Sequence, residues 1–411
     1  VSRSADEEQN AVSGEASVEL PASLAVLAPF GVWPARAAGA EAVLAPAQRL
    51  ARAGCRVDLF TLGMRRFERR WPRPFAQDIE AGLREHRQLT LGLVWDRLRG
   101  GRARVPPVDF GAWLERMPRR WRQRIEAADL VQLESPWGVD FARSLGKRTI
   151  FVVHNHELAL HREALERCGW RERAEELEGR AWRESELIFV THDAERDELE
   201  RSYGLAQGRV LRLGFGVDIE ERRPASAEDR ARARAELGLP QDACIGLFPG
   251  SAHAPNVSAA RWLREQAAEL AASGLFVLLA GSVNAQAEDF AGGRATGPLP
   301  SLDACFAAAD FGLHPITEGR GMNLKLAQML ASGLPVLSTR FGARGYEGSD
   351  RDGLHIVEGL AEYRSALPLW TEDRAALAGR GRAARAYAER ALSWEQISAT
   401  RVRALRHLVT S

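Results

Sequence analysis

Apolar residues in this chain come in short runs, and stretches of helical length separate them. LAVLA at 24–28, CRVDLFT at 55–61, DLVQL at 129–133, TIFVV at 149–153, LIFVT at 187–191 and RVLRL at 209–213 read as short buried strands. Helical stretches predicted at 40–53, 173–184 and 193–203 lie between them, the first closed by Gly54. Pro46 falls inside that first stretch, so the helix is expected to start near it or kink there. Strand alternating with helix predicts a parallel sheet covered by helices on both faces. Residues 219–242 are highly charged, carry two prolines and read as a link with a short helix. A second series follows, with strands at 244–250, 275–281, 310–316 and 334–339 and helices at 257–272 and 322–332. In the 257–272 helix, Ala260, Leu263, Ala267 and Leu270 share one face. A long helical stretch over 373–408 ends the chain. The pattern predicts two open α/β domains in tandem and leaves the strand order open.

Size and charge agree with this layout. A chain of 411 residues is too long for one core at about 100–200 residues per domain. With 45% hydrophobic and 27% charged residues it is globular, and a net charge of +1 gives no reason to expect a nucleic-acid partner. The four cysteines, Cys55, Cys168, Cys244 and Cys305, are far apart and form no Cys-x-x-Cys, so a reducing, cytoplasmic setting is expected. Residues 1–21 are polar and acidic and read as a disordered tail, not a signal peptide. No apolar run is long enough to cross a bilayer. Residues 65–124 stand apart, with sixteen Arg against seven Asp/Glu and with Trp71, Trp95, Trp113 and Trp121 interleaved. They read either as a solvated helical insertion or as a basic, aromatic face meeting anionic lipid at the inner membrane surface or a phosphorylated acceptor.

The stretch HPITEGRGMNLKLAQMLASGLPVLSTRFGARGY at 314–346 carries the chemistry. It reads as strand, glycine turn, helix, glycine, strand. Gly319 and Gly321 let backbone approach a ligand closely, and the helix opening near Met322 points free N–H groups back at the turn. Lys325 adds a positive charge in the first helical turn, and with Lys147 it is one of only two lysines among 56 basic residues. The assembly suits the diphosphate of a nucleotide, while a plain tight turn is the bland alternative.

This motif resembles the C-terminal signature of glycosyltransferase family 4, in a sub-branch with a Gly-x-Gly-x-x-Leu-Lys donor motif. FPGSAHAPNVSAARWL at 248–263, ATGPLPSLDACFAAADFGLHPI at 295–316, LGFGVD at 213–218, FVVHNHE at 151–157 and LSWEQIS at 392–398 are similar to further family stretches in the same order. The resemblance covers about 24–405 and implies a GT-B fold, two Rossmann-like domains with parallel sheets facing across a cleft. An acceptor domain would span 22–222, a donor domain 223–385, and residues 386–411 would form a helix returning to the first domain. The implied activity is retaining transfer of a sugar from a UDP- or GDP-sugar to a glycan or lipid-linked acceptor, with no obligatory cofactor, metal or nucleic acid. By resemblance the donor is bound by Gly250 and Ser251 after the first strand of the second domain, by Leu299, and by Arg320, Gly321, Met322, Asn323, Leu324, Lys325 and Gln328. His154 and Glu318 are the implied catalytic positions, and Gly39 carries over from an acceptor-side glycine pair.

The departures are specific. The family's two glutamates align with Arg320 and Gln328, and Glu318 stands two residues early. The usual Arg and Lys after the first donor-domain strand are replaced by GSAHAPN at 250–256. His154 ends a strand at the carboxyl edge of a parallel sheet, where α/β sites lie. Glu134 reads as a surface or capping group with a lesser chance of facing the site. His156, His161 and His192 have no metal-ligand spacing, and Arg344 and Tyr346 read as loop closure. A GT-B-fold partner that binds nucleotide or scaffolds polysaccharide assembly without transfer is the alternative, and a nucleotide-sugar epimerase a further one.

Overall fold

In the computed structural model the described residues are 21–35, 38–63, 74–88, 110–154, 157–206, 208–319 and 322–410. Residues 1–20 of the expected tail, Arg320, Gly321, Trp71 and Trp95 lie outside them, while Pro21, the last residue of that tail, is described and buried. The described chain divides into two compact units, one of 21–189, 198–211 and 398–410, the other of 190–197 and 212–397. Each has its own sheet.

The first sheet contains β1 (Ser23–Ala28), β2 (Arg56–Leu62), β3 (Phe75–Glu80), β4 (Leu83–Gln88), β5 (Leu130–Leu133), β6 (Thr149–Val152), β7 (Leu187–Val190) and β8 (Val210–Arg212). Their order is β3-β4-β2-β1-β5-β6-β7-β8. Pairing is parallel from β4 through β7, and β3 runs antiparallel to β4. All residues of β1, β5, β6 and β7 are buried, as expected for strands covered on both faces. Helix α1 (Ala38–Arg52) contains Pro46 in its interior rather than starting there.

The basic stretch 65–124 departs from the helical insertion expected of it. Its described parts hold β3, β4 and two short helices, Phe110–Glu115 and α2 (Arg119–Glu126). Trp113 and Trp121 are core side chains, so neither belongs to an aromatic surface. Glu85 and Arg87 of β4 are buried and paired at 2.6 Å. Glu85 also accepts from the Val32 N–H at 3.0 Å and the Thr61 hydroxyl at 2.9 Å. This polar network fixes the loop after β1.

The second sheet contains β9 (Cys244–Pro249), β10 (Leu275–Ala280), β11 (Ala287–Phe290), β12 (Gly293–Thr296), β13 (Phe311–His314), β14 (Val336–Thr339) and β15 (Leu354–Val357). Their order is β11-β12-β10-β9-β13-β14-β15, and only the β11–β12 pair is antiparallel. Alternate residues feed two clusters, with Ile245, Leu247, Leu278 and Ala280 on one face and Cys244, Phe248, Val277 and Leu279 on the other. Helices α3 (Ala254–Leu270) and α4 (Leu324–Ala331) follow β9 and β13. The charged link holds a helix at Ala227–Glu236, opened by a capping box between Ser226 and Asp229. The C-terminal stretch is broken into Leu360–Glu372, Arg374–Tyr387, a π turn at Ala388–Leu392 and α5 (Trp394–Thr410). Residues 398–410 group with the first unit. Trp394 packs on Gly216, where a Cβ would lie 2.5 Å from its ring, so the Ser-Trp-Glu and Gly-Val-Asp stretches are parts of one contact.

Candidate functional site

In the second sheet β9 lies beside β13, and the chain continues from them to opposite sides, to β10 and to β14. Such a switch point leaves a crevice beyond the carboxyl ends of the two strands, where open α/β sheets bind ligands. Two loops meet there. Gly250 and Ser251 follow β9, and Gly319 follows β13. Gly250 donates to the Ala280 carbonyl at 2.8 Å and accepts from Val283 at 3.0 Å. Gly281, at φ +94°, passes so close that a Cβ there would lie 2.7 Å from the Gly250 oxygen. Gly319, at φ +112°, lies against Pro255 in the first turn of α3. Proline is tolerated at that position because the first helical N–H groups have no intrahelical partner. The starts of α3 and α4 therefore converge on one place.

Lys325 stands in the first turn of α4 and joins the two loops. Its ammonium donates to the Asn256 side-chain oxygen and sits 4.8 Å from the centre of the Phe248 ring. The Asn256 amide in turn donates to the Ser251 carbonyl and hydroxyl, both at 3.2 Å. Among the described residues no carboxylate pairs with Lys325. A cation held only by an amide oxygen and an aromatic face is poorly solvated, and burial pulls the Lys325 pKa down from 10.5 to about 7. His314, at the end of β13, is fully buried, and desolvation together with the Lys325 charge holds its imidazole well below the ordinary range. Its Nδ1 lies 2.9 Å from the Ser338 hydroxyl, while its Nε2 has no partner among the described residues.

The start of α4 is kept open by a side chain. The Tyr346 hydroxyl donates to the Asn323 carbonyl at 2.6 Å and accepts from the Ala327 N–H at 3.3 Å. It thereby stands in for the first intrahelical bond. No described residue takes the N–H groups of Leu324 and Lys325, as expected in the first turn of a helix. Arg344 stacks on Phe341 at 3.6 Å and reaches the Gly319 carbonyl at 3.5 Å.

The other expected donor residues divide. Gln328 lies one turn beyond Lys325, half-buried, its amide without a partner among the described residues. Leu299 is exposed. Met322 points into the core instead: its sulfur accepts from the Phe215 N–H at 3.5 Å and its chain packs against Gly345. Glu318 is exposed and pairs with no described residue.

In the first unit, His154 follows β6 and Glu134 follows β5. The His154 Nε2 lies 2.6 Å from Glu134, whose side chain is 1% exposed. A carboxylate can only accept, so Nε2 carries the proton and Nδ1 is the acceptor of the neutral ring. Glu134 also accepts from Gln132, and Gln132 accepts from Arg401 of α5 at 3.2 Å. Arg401 is buried beside the Phe189 ring, and burial lowers its pKa while the Glu134 charge raises it. Glu134 is thus a buried partner of His154, not the surface or capping group read from its position. Gly39 lies in the first turn of α1, where a Cβ would meet nothing within 4 Å. His161 pairs with Glu157 at 3.2 Å.

Asn256, Tyr346, His314 and Arg401 were not legible as parts of these clusters. Each is a common residue whose role depends on a partner at least nineteen positions away. No group of three or more His, Cys, Asp or Glu that could hold a metal ion occurs among the described residues. No described helix is long and apolar enough to cross a membrane.

The Glycosyltransferase Family 4 model matches residues 40–221, and the Glycosyl transferases group 1 model matches 243–367. The chain is similar to the D-inositol 3-phosphate glycosyltransferase of Streptomyces avermitilis, 31% identical over 227 residues, which are 50% of this chain and 48% of the relative. It thus spans about half the length of that curated relative. Sucrose-phosphate synthase of Thermosynechococcus elongatus superposes with a TM-score of 0.71 at 17% identity, over 94% of this chain and 99% of the other. Anabaena HepE, solved with UDP-glucose, gives 0.63 at 14% identity, over 94% and 100%. At these identities the structural likeness carries the fold alone. With one family model on the first half of the chain and the other on the second, the chain belongs to the GT-B glycosyltransferases.

Proposed function

We propose that the protein is a retaining glycosyltransferase of the Gly-x-Gly-x-x-Leu-Lys sub-branch, moving a sugar from a nucleoside-diphosphate sugar to a hydroxyl acceptor. The observation that carries this reading is Lys325, a poorly solvated cation without a carboxylate partner among the described residues, set where two helix starts and two glycine loops meet. A diphosphate supplies the missing charge. The anomeric C–O bond breaks and its electron pair passes to the terminal phosphate oxygen. The acceptor oxygen bonds to the anomeric carbon on the same face, and its proton goes to the departing phosphate. Negative charge grows on the diphosphate during this step. Lys325 and the N–H groups of Leu324 and Lys325 stabilise it without reorganising. Gln328 hydrogen-bonds the ribose hydroxyls in place of a carboxylate. His154, oriented by Glu134, is the proposed catalytic position of the first unit. The proposed donor is a UDP- or GDP-sugar; among the structural neighbours, HepE was solved with UDP-glucose. The four cysteines are free, which fits a cytoplasmic setting.

Calorimetric titration with UDP, GDP and ADP tests the nucleotide, and NMR of the product's anomeric proton tests retention. Absence of binding by all three nucleotides, or an inverted product, contradicts the proposal. Glu318, exposed and paired with no described residue, favours a second reading, nucleotide binding without transfer. Tight UDP binding with no turnover or slow hydrolysis of any UDP-sugar would favour that reading.

A further inference from the structure

The first unit contains a cavity remote from His154. It has a volume of about 350 Å³ and is lined by Ala76 of β3, Arg84 and His86 of β4, and Arg120, Trp121 and Arg124 of α2. In the sheet order, β4 and β6 are four strand spacings apart, about 19 Å at about 4.8 Å each. The cavity therefore belongs to neither cluster described above.

One wall is aromatic and rigid. The His86 ring stacks on Phe60 at 4.7 Å and meets Trp121 edge-on at 5.4 Å. Its Nε2 lies 2.6 Å from the buried Asp58 carboxylate, and its Nδ1 has no partner among the described residues. His86 is itself 2% exposed. The rest of the lining is cationic. Arg124 binds both Asp58 oxygens, at 3.1 and 3.2 Å, and Arg56 approaches Asp58 at 3.8 Å. Arg84 approaches the exposed Asp78 at 3.6 Å, and its buried Nε has no partner among the described residues. Arg120 makes no ion pair among the described residues. Among the described residues, four guanidinium groups (Arg56, Arg84, Arg120 and Arg124) against two carboxylates (Asp58 and Asp78) leave a surplus of two positive charges, the charge a phosphate dianion would balance. Guanidinium forks match phosphate oxygens. The volume lies at the lower end of ligand sites.

We propose that this cavity binds a small phosphomonoester, with the phosphate on Arg84, Arg120 and Arg124 and the body of the molecule towards Trp121 and His86. The site stands independently of the transfer reaction. The test is calorimetric titration of the full chain with inorganic phosphate and with glucose 6-phosphate at constant ionic strength, without and with saturating UDP. Phosphomonoester binding that persists under UDP is expected, with glucose 6-phosphate tighter than inorganic phosphate. Arg120→Ala and Arg84→Gln should each weaken it about tenfold or more, the worth of one charge-assisted hydrogen bond, with an unchanged melting temperature. Lys325→Ala should leave it intact even if UDP itself fails to bind, which separates this claim from the reading of the donor site. No phosphomonoester binding, binding abolished by UDP, or equal affinity in the arginine variants overturns the proposal. Flotation with phosphatidic-acid vesicles that is lost in the same variants, without soluble binding, would assign the phosphate to a lipid headgroup and overturn the small-ligand form.

Discussion

Two clusters at carboxyl strand ends treat charge in opposite ways. Around Glu134 each charged group has a polar partner inside the unit: His154 and Gln132 on the carboxylate, and Gln132 again on Arg401. Around Lys325 the partners are an amide oxygen and a phenyl face, and no described carboxylate answers the charge. The first cluster answers its carboxylate from within and holds an imidazole in one orientation, with the buried Arg401 Nε left without a partner among the described residues. The second is incomplete and is best satisfied by an anion from outside. The contrast separates a group that positions from a group that binds.

The largest effect should come from breaking the cluster that answers its own carboxylate. Glu134→Ala removes the acceptor shared by His154 and Gln132 and leaves Arg401 buried without an opposing charge. Loss of one partner of a buried pair typically costs about 3–5 kcal/mol, readable by urea denaturation. Glu134→Gln should cost less, since the amide still accepts. If Glu134→Ala is as stable as the parent, the cluster does not hold the first unit together.

Breaking the incomplete cluster should do the reverse. Lys325→Ala should leave stability unchanged or raised, because the folded protein no longer desolvates an ammonium. It should weaken UDP binding by one to two decades, the worth of a charge-assisted hydrogen bond of about 1.5–3 kcal/mol. Lys325→Arg should recover only part of this, since a guanidinium fork replaces a compact ammonium. Calorimetry on stably folded variants reads both effects.

A smaller effect sharpens the same contrast. Asn256→Asp places a carboxylate against Lys325 and completes the cluster from within. UDP binding should fall by about tenfold through competition for the cation and repulsion of the diphosphate. A gain in UDP affinity would mean that Asn256 has no part in holding Lys325.

The degree to which the two regions could be read from sequence also differs, and for a physical reason. The donor-side turn was legible because Gly319, Lys325 and the helix after them are local: a tight backbone, a helix start and a charge within seven residues. Strands such as 244–249 and 275–280 were legible because burial on both faces leaves an unbroken apolar run. β4 was not, since LREHRQ buries Glu85, His86 and Arg87, whose cost is offset only by partners on other strands. Glu134 was misread for the same reason, because its partner His154 lies twenty residues away and Arg401 at the far end of the chain. Met322 looked like a site residue by its place in the motif, yet an unbranched thioether at a helix start fills the gap left by Gly214 and Gly345.

The central claim, that an external diphosphate completes the Lys325 cluster, has a direct signature in protons. The free folded protein holds Lys325 near a pKa of about 7, against an unfolded value of 10.5. Between these values the unfolded chain binds more protons, so this group's penalty on stability is full below pH 7 and is relieved as pH rises towards 10.5. A bound diphosphate favours the ammonium and raises the pKa again, so binding near pH 8 must take up a proton, and affinity must fall as pH rises above 7. The measurement is calorimetric titration of UDP at pH 8 in buffers of different ionisation enthalpy, for the parent protein and for Lys325→Met. The account predicts an uptake of nearly one proton per UDP in the parent and none in the variant, whereas equal uptake in the two proteins, or none in the parent, would contradict it.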